Sequence, residues 1–202
     1  MKSPKFEHRD YIGINGVGLE QLKHPHFEVW QEYFKNEYYF KVNKELMIFL
    51  PCAAIKPYYN SPIHREINNI LEKYETVQKI VISNAGIIPY EYCDKYPFES
   101  YDWNPLLETS IIKEEYIRIT NRRIFEFFDS KKLNNNLKFL AYLRNDSESL
   151  ESLKLAFNKL KLKLEIVPVT GQLHETADTD LQLILKDNLI KLDLLINKLL
   201  NI

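Results

Sequence analysis

A cysteine, a lysine and a histidine fall within one short stretch, Pro51 to His64, which reads PCAAIKPYYNSPIH. Thiols become nucleophiles as thiolates, and a neighbouring lysine, histidine or helix N-terminus lowers the thiol pKa. Ser61 can cap a helix and Pro62 can occupy its first position, which places His64 at the third. The helix dipole there disfavours a protonated imidazole, leaving a neutral base at pH 7. Cys52 as nucleophile, Lys56 as electrostatic partner and His64 as base therefore form a coherent constellation. The same residues admit a second assignment. A cysteine ending an apolar run packs as a small hydrophobe, and Tyr58 and Tyr59 can fill space rather than stack on a ligand.

The elements around this stretch have to hold it in place. Leu46 to Leu50 is a continuous apolar run of the kind that forms a strand buried on both faces. Val77–Ser83, Leu137–Leu143 and Leu162–Val169 read as three further strands. Helical spacing appears at Phe27, Trp30, Tyr33 and Phe34, again at Ile63, Ile67, Ile70 and Leu71, and over Ile112 to Phe128. Asp146 or Ser147 opens another helix that runs to about Leu160. A long closing helix is expected over 176–202, with a stripe at Leu181, Leu185, Leu189, Leu192, Ile196 and Leu199. Its second apolar side, Leu183, Ile190 and Leu194, suits burial in the core or contact with another chain.

Alternating strands and helices imply an α/β fold: a three-layer α/β/α sandwich around a mostly parallel sheet of about four strands. Ligands in such folds bind at the carboxyl ends of the strands. The Pro51–His64 loop and the aromatic connection Asn84–Pro105 both lie there, so they should converge on one edge.

The chain has 202 residues, 45% hydrophobic and 27% charged, as expected of one globular domain. Residues 1–23 read as an irregular arm, in which Gly13, Gly16 and Gly18 mark a turn. With 27 basic and 28 acidic side chains the formal charge is −1, against strong unassisted nucleic-acid binding. Zinc and phosphate-loop motifs are absent, and His24 and His26 flank Pro25 as a helix-start loop; no metal or cofactor is expected. Two cysteines without an export signal fit a reduced cytoplasm, and no apolar run is long enough for a membrane span.

PCAAIKPYYNSPIH fits the pattern PCxxxKPYxxSxxH and so resembles the archaeosine synthase family. HPHFEVWQEYF is similar to that family's lead-in helix, and SNAGIIPYEYCDKYPFESYD to a segment that follows; the likeness covers about Lys23 to Phe128. On the pattern, Pro51, Tyr58 and Ser61 carry over with Cys52, Lys56 and His64, as do Ser83, Gly86, Pro89, Glu91, Tyr96, Pro97, Tyr101 and Asp102. Asn84 and Ala85 depart from it. The resemblance implies a fold like that of uracil-DNA glycosylases. It also implies addition of an amine, lysine, to the nitrile of 7-cyano-7-deazaguanine in tRNA. Cys52, Lys56 and His64 would be catalytic. Pro51, Tyr58, Ser61, Ser83, Gly86, Glu91, Tyr101 and Asp102 would bind substrate.

The resemblance implies family members that join this domain to transglycosylase-like and RNA-binding domains, neither of which is expected within these 202 residues. A separate tRNA-binding subunit is one expectation, with the C-terminal helix as a surface for homo-oligomer or hetero-complex formation. Two other functions compete: a non-catalytic module that recognises a modified base or scaffolds a complex, and a base-excising glycosylase using Glu91 or Asp102.

Overall fold

The computed structural model describes residues 3–7, 13–174 and 178–202. Parts of the expected N-terminal arm (1–2 and 8–12) and of the expected closing helix (176–177) lie outside the described residues.

Five strands form one sheet in the order β3-β2-β1-β4-β5, with β1 Leu46–Pro51, β2 Val77–Ser83, β3 Gly86–Pro89, β4 Lys138–Ala141 and β5 Glu165–Ile166. β1 is central, and all six of its residues are buried. It runs parallel to β2 and to β4, pairing Leu50 with Val81 on one side and Phe49 with Ala141 on the other. β4 and β5 are also parallel, whereas β3 folds back antiparallel on β2.

The β2–β3 hairpin is the difference from the sequence reading, which placed these residues in a loop. Gly86 makes the turn possible at φ 107°, a value side-chain-bearing residues avoid. β3 is a sheet edge, and edges leave backbone groups unpaired. Gln31 meets them: its amide donates to the carbonyls of Ala85 (3.0 Å) and Ile87 (3.1 Å) and accepts from the Ile87 N–H (3.1 Å). Gln31 belongs to α2 (Pro25–Asn36), which follows the short α1 (Leu19–Leu22).

The other helices are α3 (Pro62–Leu71), α4 (Ser110–Asp129), α5 (Glu148–Leu160) and α6 (Lys186–Leu200). Phe128 of α4 and Phe157 of α5 both pack edge-on against Phe49 of β1. α3 and α6 form a second group, linked where the Tyr74 hydroxyl bonds Asp193 (2.6 Å) and Asn197 (2.8 Å). The closing helix is shorter than its apolar stripe suggests: Thr179–Ile184 is a 3-10 segment, and Leu185 is extended. In α6 Leu192 and Ile196 are fully buried, while Ile190 and Leu194 are exposed. Among the described residues no helix is long and apolar enough to cross a membrane.

Candidate functional site

The strand order reverses at β1. From there the chain builds outward through β2 to β3, then returns through α4 to place β4 on the other side. In open α/β sheets, ligands sit in the crevice beyond the strand ends at such a switch point. A cavity of about 190 Å³ lies there. Pro51, Cys52 and Lys56 line it from the loop after β1, Leu143 and Arg144 from the segment after β4, and Ser147 from the N-cap of α5. Tyr101, Trp103 and Glu108 close it from the aromatic segment, and Asp178 to Asp180 from the C-terminal part.

Lys56 is half-buried, with its ammonium 4.0 Å from the centroid of the Tyr101 ring. Burial lowers its pKa, while Cys52 and Asp102 oppose that shift. The Tyr101 hydroxyl bonds that of Tyr58 at 2.8 Å, and both tyrosines are buried. The Ser83 hydroxyl reaches the same pair and accepts the Ala85 N–H at 3.1 Å. Cys52, Lys56 and Tyr101 thus share the cavity wall, and Tyr58 and Ser83 back Tyr101 from behind it.

Other expected residues are elsewhere. His64 is fully buried behind the loop. Its Nε2–H donates to the Pro51 carbonyl at 2.9 Å, and its ring lies between those of Tyr58 (5.4 Å) and Tyr90 (5.6 Å). Nδ1 is buried without a partner among the described residues. Burial brings the imidazole pKa down to about 4, so the ring is neutral, but it braces the end of β1 instead of lining the cavity. Ser61 spends its hydroxyl accepting the His64 N–H at 3.1 Å as the α3 N-cap. Glu91 accepts from Tyr38 (2.8 Å) and Gln78 (3.1 Å), and Gly86 serves the hairpin turn. Asp102 is exposed; its backbone N–H binds the Ile14 carbonyl, and its charge acts on Lys56 from outside the cavity.

The thiol departs from expectation in its electrostatics. Burial pushes the Cys52 pKa up to about 12, and Asp180 and Glu108 raise it against the opposing pull of Lys56. The resting group is a neutral thiol, held so chiefly by burial, with the facing carboxylates adding to it and Lys56 opposing. Asp180 accepts from Arg144 Nε at 2.7 Å, and burial raises its pKa despite that partner. Glu108 accepts the Trp103 indole N–H at 2.6 Å and is likewise raised by burial.

Asp180, Glu108 and Arg144 escaped the sequence reading. Arg144 carried a signal, because it directly follows a buried strand on the loop-bearing edge. Asp180 sits in a polar stretch with no motif. Among the described residues no group of three His, Cys, Asp or Glu side chains is placed to hold a metal ion. His24 instead caps α2 by accepting the His26 N–H, and His26 bonds the Tyr96 hydroxyl at 2.7 Å.

Fold and cavity together define an α/β domain with a polar, thiol-bearing site at its switch point. The chain belongs to the family described as a domain of unknown function, DUF5591, whose pattern matches residues 28–187. It is 32% identical over 94 residues to the archaeosine synthase subunit alpha of Thermoplasma acidophilum, covering 46% of this chain and 18% of that protein. Against the protein of the same name from Methanosarcina acetivorans it is 37% identical over 68 residues, 33% of this chain and 11% of the relative. The matches therefore span less than a fifth of these relatives' length. The crystal structure of AF0587, a protein of unknown function, is similar in fold, with TM-score 0.50 and 16% identity. That likeness covers 76% of this chain and 44% of the other.

Proposed function

We propose that this domain takes part in tRNA modification, adding an amine to the nitrile of a 7-deazaguanine base, with Cys52 as the nucleophile. The observation that carries this reading is the meeting of Cys52, Lys56 and Tyr101 in one cavity at the switch point. The partial identity to archaeosine synthase subunit alpha supports the choice of substrate class.

The chemistry suits a resting thiol. Sulfur bonds to the nitrile carbon while the thiol proton passes to the nitrile nitrogen, giving a thioimide with no net proton change. An amine then adds to that carbon, the C–S bond breaks, and an amidine leaves with the thiol restored. Lys56 lies beside the sulfur to stabilise thiolate as it develops. Asp180 and Glu108 offer carboxylates to an incoming ammonium or to the N–H edge of a guanine-like base. Tyr58, Ser83 and Tyr101 hold the wall on which Lys56 rests; His64 and Ser61 position the loop. A separate subunit or domain completes the grip on the tRNA.

Cys52→Ala tests this through amine transfer to tRNA bearing the nitrile base. Loss of transfer with retained folding is expected, and undiminished turnover would remove the nucleophile role. A second reading draws on the thiol's high pKa: a binding module that holds a modified base without reacting. It requires wild-type protein to bind the base and show no transfer under any pairing of subunits.

A further inference from the structure

A broad hollow lies at the opposite edge of the sheet, where the strands begin. It measures about 1070 Å³, and a second hollow of about 280 Å³ continues it, sharing Val42, Lys44, Asn134 and Leu137. Six lysines line the two together (Lys41, Lys44, Lys132, Lys138, Lys161 and Lys163) against two acidic residues, Glu45 and Glu165. The whole chain balances 27 basic against 28 acidic side chains, so this excess is local.

Two of the lysines are part of the walls. Lys44 donates to the carbonyls of Glu75 and Val77, and Lys138 to that of Leu199. Lys41, Lys132 and Lys161 are exposed, and Lys163 is 87% exposed although it bonds Glu165. Asn134 to Asn136 add amides that donate and accept. Beside the hollows Tyr39 is 77% exposed, offering a ring on which an unpaired base could stack.

The cavity at Cys52 has the opposite balance, with Glu108, Glu148, Asp178 and Asp180 against Lys56 and Arg144, and disfavours a phosphate backbone. A nucleic acid presenting a base there must be gripped elsewhere. We infer that the basic edge docks the phosphodiester backbone of a folded RNA, with Lys41, Lys132, Lys161 and Lys163 on phosphates. This rests on the proposed tRNA-borne substrate. The two edges are separated by a six-residue strand, about 20 Å at the usual rise, less than one turn of a nucleic-acid duplex.

The test is fluorescence anisotropy of the full chain with an unmodified, transcribed tRNA, which lacks the reactive base. Wild type is compared with the quadruple variant Lys41→Glu, Lys132→Glu, Lys161→Glu, Lys163→Glu and with Cys52→Ala, all matched by thermal unfolding. Expected results are a loss of about tenfold or more in the quadruple variant with a shallower salt dependence, and unchanged affinity in Cys52→Ala. Should the quadruple variant unfold, Lys41→Glu and Lys132→Glu are made singly, each expected to weaken binding about twofold or more. Equal affinity of the charge-reversed and wild-type proteins, or displacement of the RNA by polyglutamate at equal charge concentration, would overturn the inference. Since no step of amine transfer enters this assay, a failed docking surface and a failed Cys52 mechanism are told apart.

Discussion

The ammonium of Lys56 lies 4.0 Å from the centroid of the Tyr101 ring, joining the loop after β1 to the aromatic segment that follows the β2–β3 hairpin. The contact fixes a cation beside Cys52 and, through the Tyr101–Tyr58 hydroxyl bond, ties it to the buried end of the sheet. Around the same thiol, burial and then the carboxylates raise the pKa that the lysine lowers. This opposition sets the first expectation.

With a pKa near 12, Cys52 should react slowly with iodoacetamide at pH 8, at least about a hundredfold below an unperturbed cysteine. Asp180→Asn removes a like charge and should speed alkylation, whereas Lys56→Met should slow it further. Peptide mapping across a pH series, with Cys93 as internal reference, reads all three.

His64 makes acid stability dependent on a buried neutral ring. Its folded pKa is about 4 against about 6.5 when unfolded, so its contribution is complete above pH 6.5 and is lost as pH falls from there through 4. The full effect is on the order of 3 kcal/mol. Urea unfolding between pH 7 and 4 should show this slope in wild type, and His64→Phe should flatten it.

Gly86→Ala should destabilise the fold by roughly 2 to 4 kcal/mol. The backbone is at φ 107°, and a Cβ there would come within 2.6 Å of the Gln31 side chain, which cannot move without uncovering β3. Thermal unfolding checks it. In a Gln31→Ala background, itself destabilised by the uncovered edge, Gly86→Ala should cost less than in wild type, because the clash is gone while the strained backbone remains.

Much of the architecture was legible because burial leaves a pattern. β1, uninterrupted from Leu46 and buried on both faces, declared itself by having no polar alternation, and Ser61-Pro62 marked the start of α3. The hairpin strand was hidden because four residues ending in proline carry too little pattern, and its edge is covered by Gln31, a partner 54 residues from Ala85 in sequence. At the site, the loop and the aromatic segment could be placed on one edge from topology alone. The fate of His64 could not, since either orientation of its ring satisfies the spacing, and packing between Tyr58 and Tyr90 decides it. Asp180 was invisible for a related reason: it reaches Cys52 through a 3-10 turn with no motif of its own.

The most direct measurement is intact-protein mass spectrometry after incubation with 7-cyano-7-deazaguanine, free or in tRNA, without an amine. A thioimide retains every atom of thiol and nitrile, so wild type should gain the full mass of the added base or nucleotide fragment. Digestion should map the gain to Cys52, the added amine should discharge it, and Cys52→Ala should show none. Amine transfer that proceeds at the wild-type rate in Cys52→Ala, with no adduct on either protein, would contradict the account.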